Sequence, residues 1–273
     1  MRNLLISSIA LVSSTAFADE APPITTTAAR PSFTLMDPDG ASNGIDLELG
    51  MTSFDHVQLW SQRLRGQAVS PNGIGGYATL QGFLATGDNV DSEYGLADME
   101  LGGLYRASLG PNVDASVRLG LTLPTAGHDL VAFVGMSGQR PSDLVLGLPE
   151  DAWLRAGGSL GFHQGHLFGR LDAGVDQRVT GDGDKSDNQL VHLNAGLGVG
   201  TAVWSAVAEL QVLDEPHTDN SRAELVGVTA QYHTGKTSPY LGVSIAFDNP
   251  LALDGLLSVD TIWTISAGTR LLF

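Results

Sequence analysis

The feature that most constrains this chain is a period of two. From residue 44 onward apolar residues recur at every second position, with Gly, Ser, Thr or a charged residue between them. Ile45, Leu47, Leu49 and Met51 alternate with Asp46, Glu48 and Gly50, and 113–123 alternates without a break. In 167–176, Arg170, Asp172 and Asp176 share one face, and Leu167, Leu171, Ala173 and Val175 share the other. This is the pattern of two-faced strands. Twelve such segments fall near 44–54, 57–69, 73–86, 94–109, 111–124, 152–164, 165–179, 189–201, 202–214, 222–234, 237–247 and 262–273. Many reach the roughly nine to eleven residues that a tilted strand needs to cross a bilayer.

The connections alternate too. Tight links (Gly110-Pro111-Asn112, Gln164-Gly165, Gly200-Thr201, Gly235-Lys236-Thr237) alternate with longer acidic ones such as 181–187. Short turns at one end and long loops at the other belong to an outer-membrane barrel with its turns in the periplasm. A soluble sandwich also alternates, so the nature of the faces decides. Here the non-apolar face is rich in glycine and small residues (Gly157, Ser159, Gly161, Gly196, Gly198) and lysines are few. Aromatic residues on the apolar face sit near strand ends: Tyr105, Phe162, Trp204, Tyr232 and Phe273 at the turn end, Phe247 and Trp263 at the loop end. Two girdles flanking an apolar band are expected of a barrel in a membrane. The fold expected is therefore all-β, a transmembrane antiparallel up-and-down β-barrel of about twelve strands spanning 44–273.

Both ends of the sequence agree with this. Residues 1–18 combine Arg2, a short apolar run and Ala16-Phe17-Ala18, the layout of a secretory signal peptide. Residues 19–43, rich in Pro, Thr, Ala and Asp, lack a period and are expected to be a flexible, exposed segment, with a minor strand over Phe33–Met36 as the alternative there. The C-terminal strand places Trp263, Ile265, Ala267, Thr269, Leu271 and Phe273 on one face. Its pattern Ser266, Gly268, Leu271, Phe273 resembles the signal read by the barrel-assembly machinery. Composition excludes other classes. There is no cysteine for a disulfide scaffold, and a net charge of −16 argues against nucleic acid as a partner. The expected partners are outer-membrane lipid and lipopolysaccharide, the assembly machinery and a small solute, with no cofactor and no metal.

One stretch suggests a family. Gly95, Asp98, Leu101-Gly102 and Tyr105-Arg106, followed by Leu123-Pro124-Thr125-Ala126-Gly127, resemble a pattern of outer-membrane proteins named after the meta pathway of phenol degradation. That family is transporter-like, so the resemblance implies transport.

By parity, the lumen takes Asp46, Glu48, Asp98, Glu100, Asp114, Asp172, Asp176 and Glu209, with Arg106, Arg118, Arg155, Arg170, Arg178 and Arg270. Gln211, Gln231, His192 and Asn194 add hydrogen-bonding capacity. Arginine and carboxylate suit a confined space because the planar fork bonds bidentately. Two readings stand: a narrow conducting pore lined by these groups, or pairs that satisfy one another and block flow. The long connection 127–151 carries apolar runs at 130–136 and 144–148, and Pro141-Ser142-Asp143 resembles a helix start. It is expected to fold over or into the mouth; the alternative is two strand extensions above the membrane. Acidic outer residues (Asp88, Asp91, Glu93, Asp214, Glu215, Asp219) should favour cations by field focusing. Gly157-Gly158-Ser159-Leu160-Gly161 fits a nucleophile elbow only in a strand-to-helix turn, and here it lies inside an alternating strand. Asp182, Asp184 and Asp187 lack the closing Glu of a calcium loop. The function expected is an outer-membrane channel passing a small solute by passive diffusion, not an enzyme. The alternatives are a non-conducting structural barrel and an outer-membrane enzyme such as a lipid hydrolase.

Overall fold

A computed structural model describes residues 33–54, 57–87, 90–126, 130–148, 150–180, 189–216, 222–247 and 261–273. The expected signal peptide at 1–18, residues 19–32, Asp88, Asp219 and the 181–187 loop lie outside the described residues. Among the described residues thirteen strands run in chain order: β1 (Gly44–Phe54), β2 (Val57–Val69), β3 (Ile74–Gly87), β4 (Val90–Leu96), β5 (Met99–Gly110), β6 (Val113–Leu123), β7 (Trp153–Gln164), β8 (Leu167–Arg178), β9 (Gln189–Gly200), β10 (Trp204–Asp214), β11 (Arg222–Tyr232), β12 (Thr237–Phe247) and β13 (Thr261–Leu272). Between β6 and β7 lie helix α1 (Leu130–Gln139) and a 3-10 helix (Pro141–Gly147). Strand pairing is antiparallel throughout, and β1 pairs with both β2 and β13, so the sheet closes on itself. Closure leaves no sheet edge to present unpaired backbone to lipid at the seam.

The wall has twelve positions because β4 and β5 share one. β3 pairs with β5 over Ile74–Thr79 and with β4 over Gly82–Gly87. The fourth expected strand is thus longer than 94–109 and is broken at Ala97–Asp98. The reason is local: the Asp98 amide donates to the Leu146 carbonyl, 2.6 Å away in the 3-10 helix, and not to a neighbouring strand.

The two faces are inverted relative to a soluble protein. Leu49, Val117, Leu119, Leu171, Leu193, Val228 and Leu241 point outward and are exposed, whereas Asp46, Arg63, Arg65, Arg155 and Asp176 are buried inside. Exposed leucines at every second position are stable only against lipid. Tyr105, Phe162, Trp204, Tyr232 and Phe273 are exposed at the short-turn end, and Phe247 and Trp263 at the long-loop end, as the girdle pattern requires. The turns explain their own glycines. Gln164 pairs with Leu167 across Gly165–His166, with Gly165 at φ +60°. A two-residue hairpin needs that left-handed first position.

Residues 33–43 differ from the expected exposed linker. Phe33–Met36 and Asp37 are buried within the barrel. Phe33–Met36 forms bends and not a minor strand, and its burial was hidden because an irregular segment has no face to read. The long connection behaves as expected in entering the mouth. The 3-10 helix matches the helix start at Pro141, and α1 precedes it.

Candidate functional site

The candidate site is the lumen, which is layered. At the long-loop end α1 and the 3-10 helix lay Val131, Ala132, Met136, Leu144, Val145 and Leu146 against inward wall residues. Leu59, Phe83, Trp153, Leu213, Leu225 and Ile262 supply the wall side. This is a dry apolar core built inside a barrel. The wall can offer apolar side chains inward here because inserted chain, not water, meets them.

Below it the lumen is a lattice of charge. Arg155 is fully buried and donates to Glu100 (2.8 Å), Asp176 (3.1 Å), Asp143 (3.1 Å) and the Ser142 carbonyl (2.7 Å). Glu100 also accepts from the Tyr77 hydroxyl at 2.6 Å. Arg118 reaches Asp37 and lies 2.9 Å from His192 Nε2, which is itself 3.2 Å from Asp37. Arg270 and Arg65 converge on Asp46, at 2.6 Å and 3.3 Å. Arg63 donates to Glu48 at 2.9 Å, and Tyr240 donates to the same carboxylate at 2.7 Å.

The lattice holds the inserted N-terminal segment by its backbone. Arg63 (3.2 Å) and Arg140 (2.8 Å) donate to the Thr34 carbonyl. Arg140 (2.9 Å) and Gln211 donate to Leu35, Arg65 (2.7 Å) to Met36, Arg170 (2.7 Å) to Asp37, and Arg106 (3.1 Å) to Gly40. Glu209 accepts from the Thr34 and Leu35 amides at 3.2 Å and 2.9 Å. Irregular backbone at membrane depth persists only when buried protein groups satisfy it, and arginines do so here.

Asp37 and Asp143 belong to the inserted segments, not the strands. Burial opposes the charged form of Asp37, but Arg118, then His192 and Arg155, hold it well below the usual carboxylate range. Burial likewise opposes ionisation of Asp143, yet Arg140 and Arg155 bring it down to about 2. Toward the short-turn end a cavity of about 290 Å³ remains between the segment and the wall. It is lined in part by Pro38, Arg106, Ser116, Ser159, His166 and Arg170.

The structure brings most residues expected in the lumen together: Glu100, Arg118, Arg155 and Asp176 in one cluster, Arg170 with Asp172 (2.6 Å), Arg106 with Asp114 (2.7 Å), and Asp46 with Arg270. Three stand apart. Asp98 sits in the break of the wall and accepts from the Thr125 and Ala126 amides at 2.7 Å and 2.6 Å, anchoring the start of the long loop. Arg178 is a rim residue paired with Asp151 at 2.7 Å. Glu209 binds the inserted backbone, as above. Sequence reasoning missed Arg63, Arg65, Arg140, Asp37, Asp39, Asp143, Tyr77 and Tyr240. Arg63 and Arg65 share parity with Gln67, a signal that would have placed them inside. At the C-terminus Ser266 and Gly268 turn inward, Leu271 and Phe273 face outward, and β13 closes the seam with β1. Ser159 lies within β7, its hydroxyl 2.6 Å from that of Ser116.

The fold matches that of outer-membrane channels. The NanC porin superposes with a TM-score of 0.59 at 11% identity, covering 84% of this chain and 100% of that one. The KdgM porin gives 0.54 at 12% identity, covering 84% and 99%. An outer-membrane channel described as COG4313, from Pseudomonas putida F1, gives 0.53 at 14% identity, covering 90% and 100%. No family model matches the sequence, and no curated protein does. At such identities the likeness is one of fold.

Proposed function

We propose that this protein is an outer-membrane channel for a small solute, described here in a stoppered state. The observation that carries the reading is the origin of the obstruction. Two inserted pieces of chain, 33–39 and 130–147, fill the bore, and neither is a strand of the wall. A barrel that only needed filling could use wall side chains, as small barrels do. Inserted segments can be displaced without opening the sheet. All three barrels compared above are described as porins or as a channel, which favours the same reading. The resemblance to the transporter-like family of the phenol meta pathway, carried by Gly95, Asp98, Tyr105-Arg106 and Leu123-Pro124-Thr125, points the same way.

On this reading Glu100, Asp114, Asp172, Asp176, Arg106, Arg118, Arg155, Arg170 and Arg270 line the path. Ser266, Gly268, Leu271 and Phe273 serve assembly by the barrel-assembly machinery, and the outward leucines meet lipid and lipopolysaccharide. The enzyme reading finds no support at Ser159, which sits in mid-strand without a strand-to-helix turn. A second reading, a non-conducting structural barrel, is favoured by the filled bore itself. Planar-bilayer conductance of the refolded full chain separates the two, with protein lacking 130–148 as the unstoppered reference. A channel shows openings in the full chain, with cations preferred because acidic residues such as Glu93 and Asp214 are exposed at the outer mouth. A structural barrel stays silent until 130–148 is removed.

A further inference from the structure

The two insertions enter from opposite ends of the barrel. Residues 33–43 lead into β1 at the short-turn end, and 130–147 descend from the long-loop end. They meet through Leu35, which packs in the apolar cluster of α1 and the 3-10 helix, and through hydrogen bonds from one side chain. Arg140, in the link between α1 and the 3-10 helix, is buried. It donates to the carbonyls of Thr34 (2.8 Å) and Leu35 (2.9 Å) while its Nε donates to Asp143 (2.8 Å). Asp143 is then gripped by Arg155, which also holds the Ser142 carbonyl and reaches Glu100 and Asp176 on the wall. On the other side, Thr34 and Leu35 are gripped by Glu209 and Gln211 of β10.

We infer that Arg140 is an interlock that makes the two stoppers one cooperative unit, so that loosening the segment at the short-turn end releases the helix at the long-loop end. The guanidinium supplies this coupling because its planar fork bonds two successive carbonyls of one segment and a carboxylate of the other at once. If the N-terminal segment leaves, Arg140 keeps Asp143 and Glu48 but loses two buried carbonyl acceptors, and buried N–H donors left unsatisfied are costly. The helix that carries it then gains from moving out to water. Coupling of this kind requires a shared two-state element, and the inference gives that role to the Arg140 junction. The inference rests on reading the two segments as the obstruction; it does not depend on which solute passes.

The absence of cysteine from the chain makes the test clean. A single Ser137→Cys reporter on α1, at a fully buried position, is exposed to a membrane-impermeant maleimide in protein refolded into liposomes. Heat-modifiable migration on a gel selects folded barrels. Labelling is expected to be slow in the otherwise native chain and at least tenfold faster with Arg140→Gln. The decisive variant is Glu209→Ala, whose lost hydrogen bonds go to Thr34 and Leu35. The interlock requires Ser137→Cys to label several-fold faster there too. Arg222→Gln, at an exposed rim pair, is expected to leave the rate unchanged. A parallel Met36→Cys reporter follows the N-terminal segment. If Glu209→Ala frees Met36→Cys while Ser137→Cys stays protected, the stoppers are independent and the inference fails. Should Arg140→Gln not fold, Glu209→Ala with the two reporters decides alone. Because the readout is chemical access, a silent barrel with coupled stoppers is distinguishable from a conducting one without coupling.

Discussion

The two halves of the lumen close the same bore by opposite physics. The long-loop half is a packed apolar core, with Met136, Val145 and Leu146 fully buried against Phe83, Leu213 and Leu225. The other half is a lattice in which Arg155, Arg118 and Arg65 bind carboxylates and backbone carbonyls. Apolar contact is non-directional and tolerates rearrangement, whereas a guanidinium in a buried lattice demands each acceptor in place. The comparison teaches that the charged half sets the position of the stopper and the apolar half mainly fills. Variants test this by where and how steeply stability is lost.

The largest effect is expected at Arg155. Arg155→Ala leaves Glu100, Asp143 and Asp176 without their shared cation, and breaking a buried pair in this way costs about 3–5 kcal/mol. Urea unfolding of the refolded barrel, read as heat-modifiable migration, measures it. A loss below 1 kcal/mol would show that water enters the lattice readily and that the charged half is not the rigid one. Met136→Ala is expected to cost about 2–5 kcal/mol by the same assay, since it leaves a void in a core of fully buried side chains. Its distinguishing mark is location. Protection of α1 should fall most, with that of residues 33–37 following through the Arg140 junction, whereas Arg155→Ala should loosen both alike.

How much of this was legible in the sequence follows from the same division. Alternation specified the barrel, because each strand has a lipid face and a lumen face and a one-residue slip would exchange them. Parity therefore also placed Glu100, Arg118, Arg155 and Asp176 inside. It carried no information on Asp37, Arg140 or Asp143, which sit in aperiodic segments. Arg140 meets Thr34 across a sequence separation of 106 residues. Asp98 shows the limit within a strand. Its parity pointed into the lumen, but the wall breaks there to bind the loop at Leu146 and Thr125.

The acid response sharpens the charged half further. Asp143 is brought down to about 2 and Asp37 well below its usual range, against about 3.9 for an unfolded aspartate. A carboxylate with a depressed folded value stabilises fully above the unfolded value, and that contribution is lost as pH falls toward the folded one. The hold of Asp143, whose cationic partners are arginines, is therefore expected to be flat from pH 8 to pH 5 and to weaken only below about pH 4. Urea midpoints at pH 7, 5 and 3 check this against Asp143→Asn. The variant should show a smaller drop between pH 5 and pH 3 than the native chain, with the Asp37 share kept.

The smallest effect separates distance from energy. Arg222 and Glu224 form an ion pair of 2.6 Å, shorter than any contact Arg155 makes to its carboxylates, but the Arg222 side chain is 58% exposed. In water both groups keep hydration, salt screens them, and ordering two side chains costs entropy, so such a pair contributes about 0–1 kcal/mol. Arg222→Ala is expected to leave the urea midpoint within error, and 0.5 M salt should erase any residue of an effect. The same salt should leave the Arg155→Ala penalty in place, since buried pairs are screened far less. A midpoint shift at Arg222 equal to that at Arg155 would mean that burial is not what distinguishes the lattice, and the contrast between the two halves of the lumen would lose its physical basis.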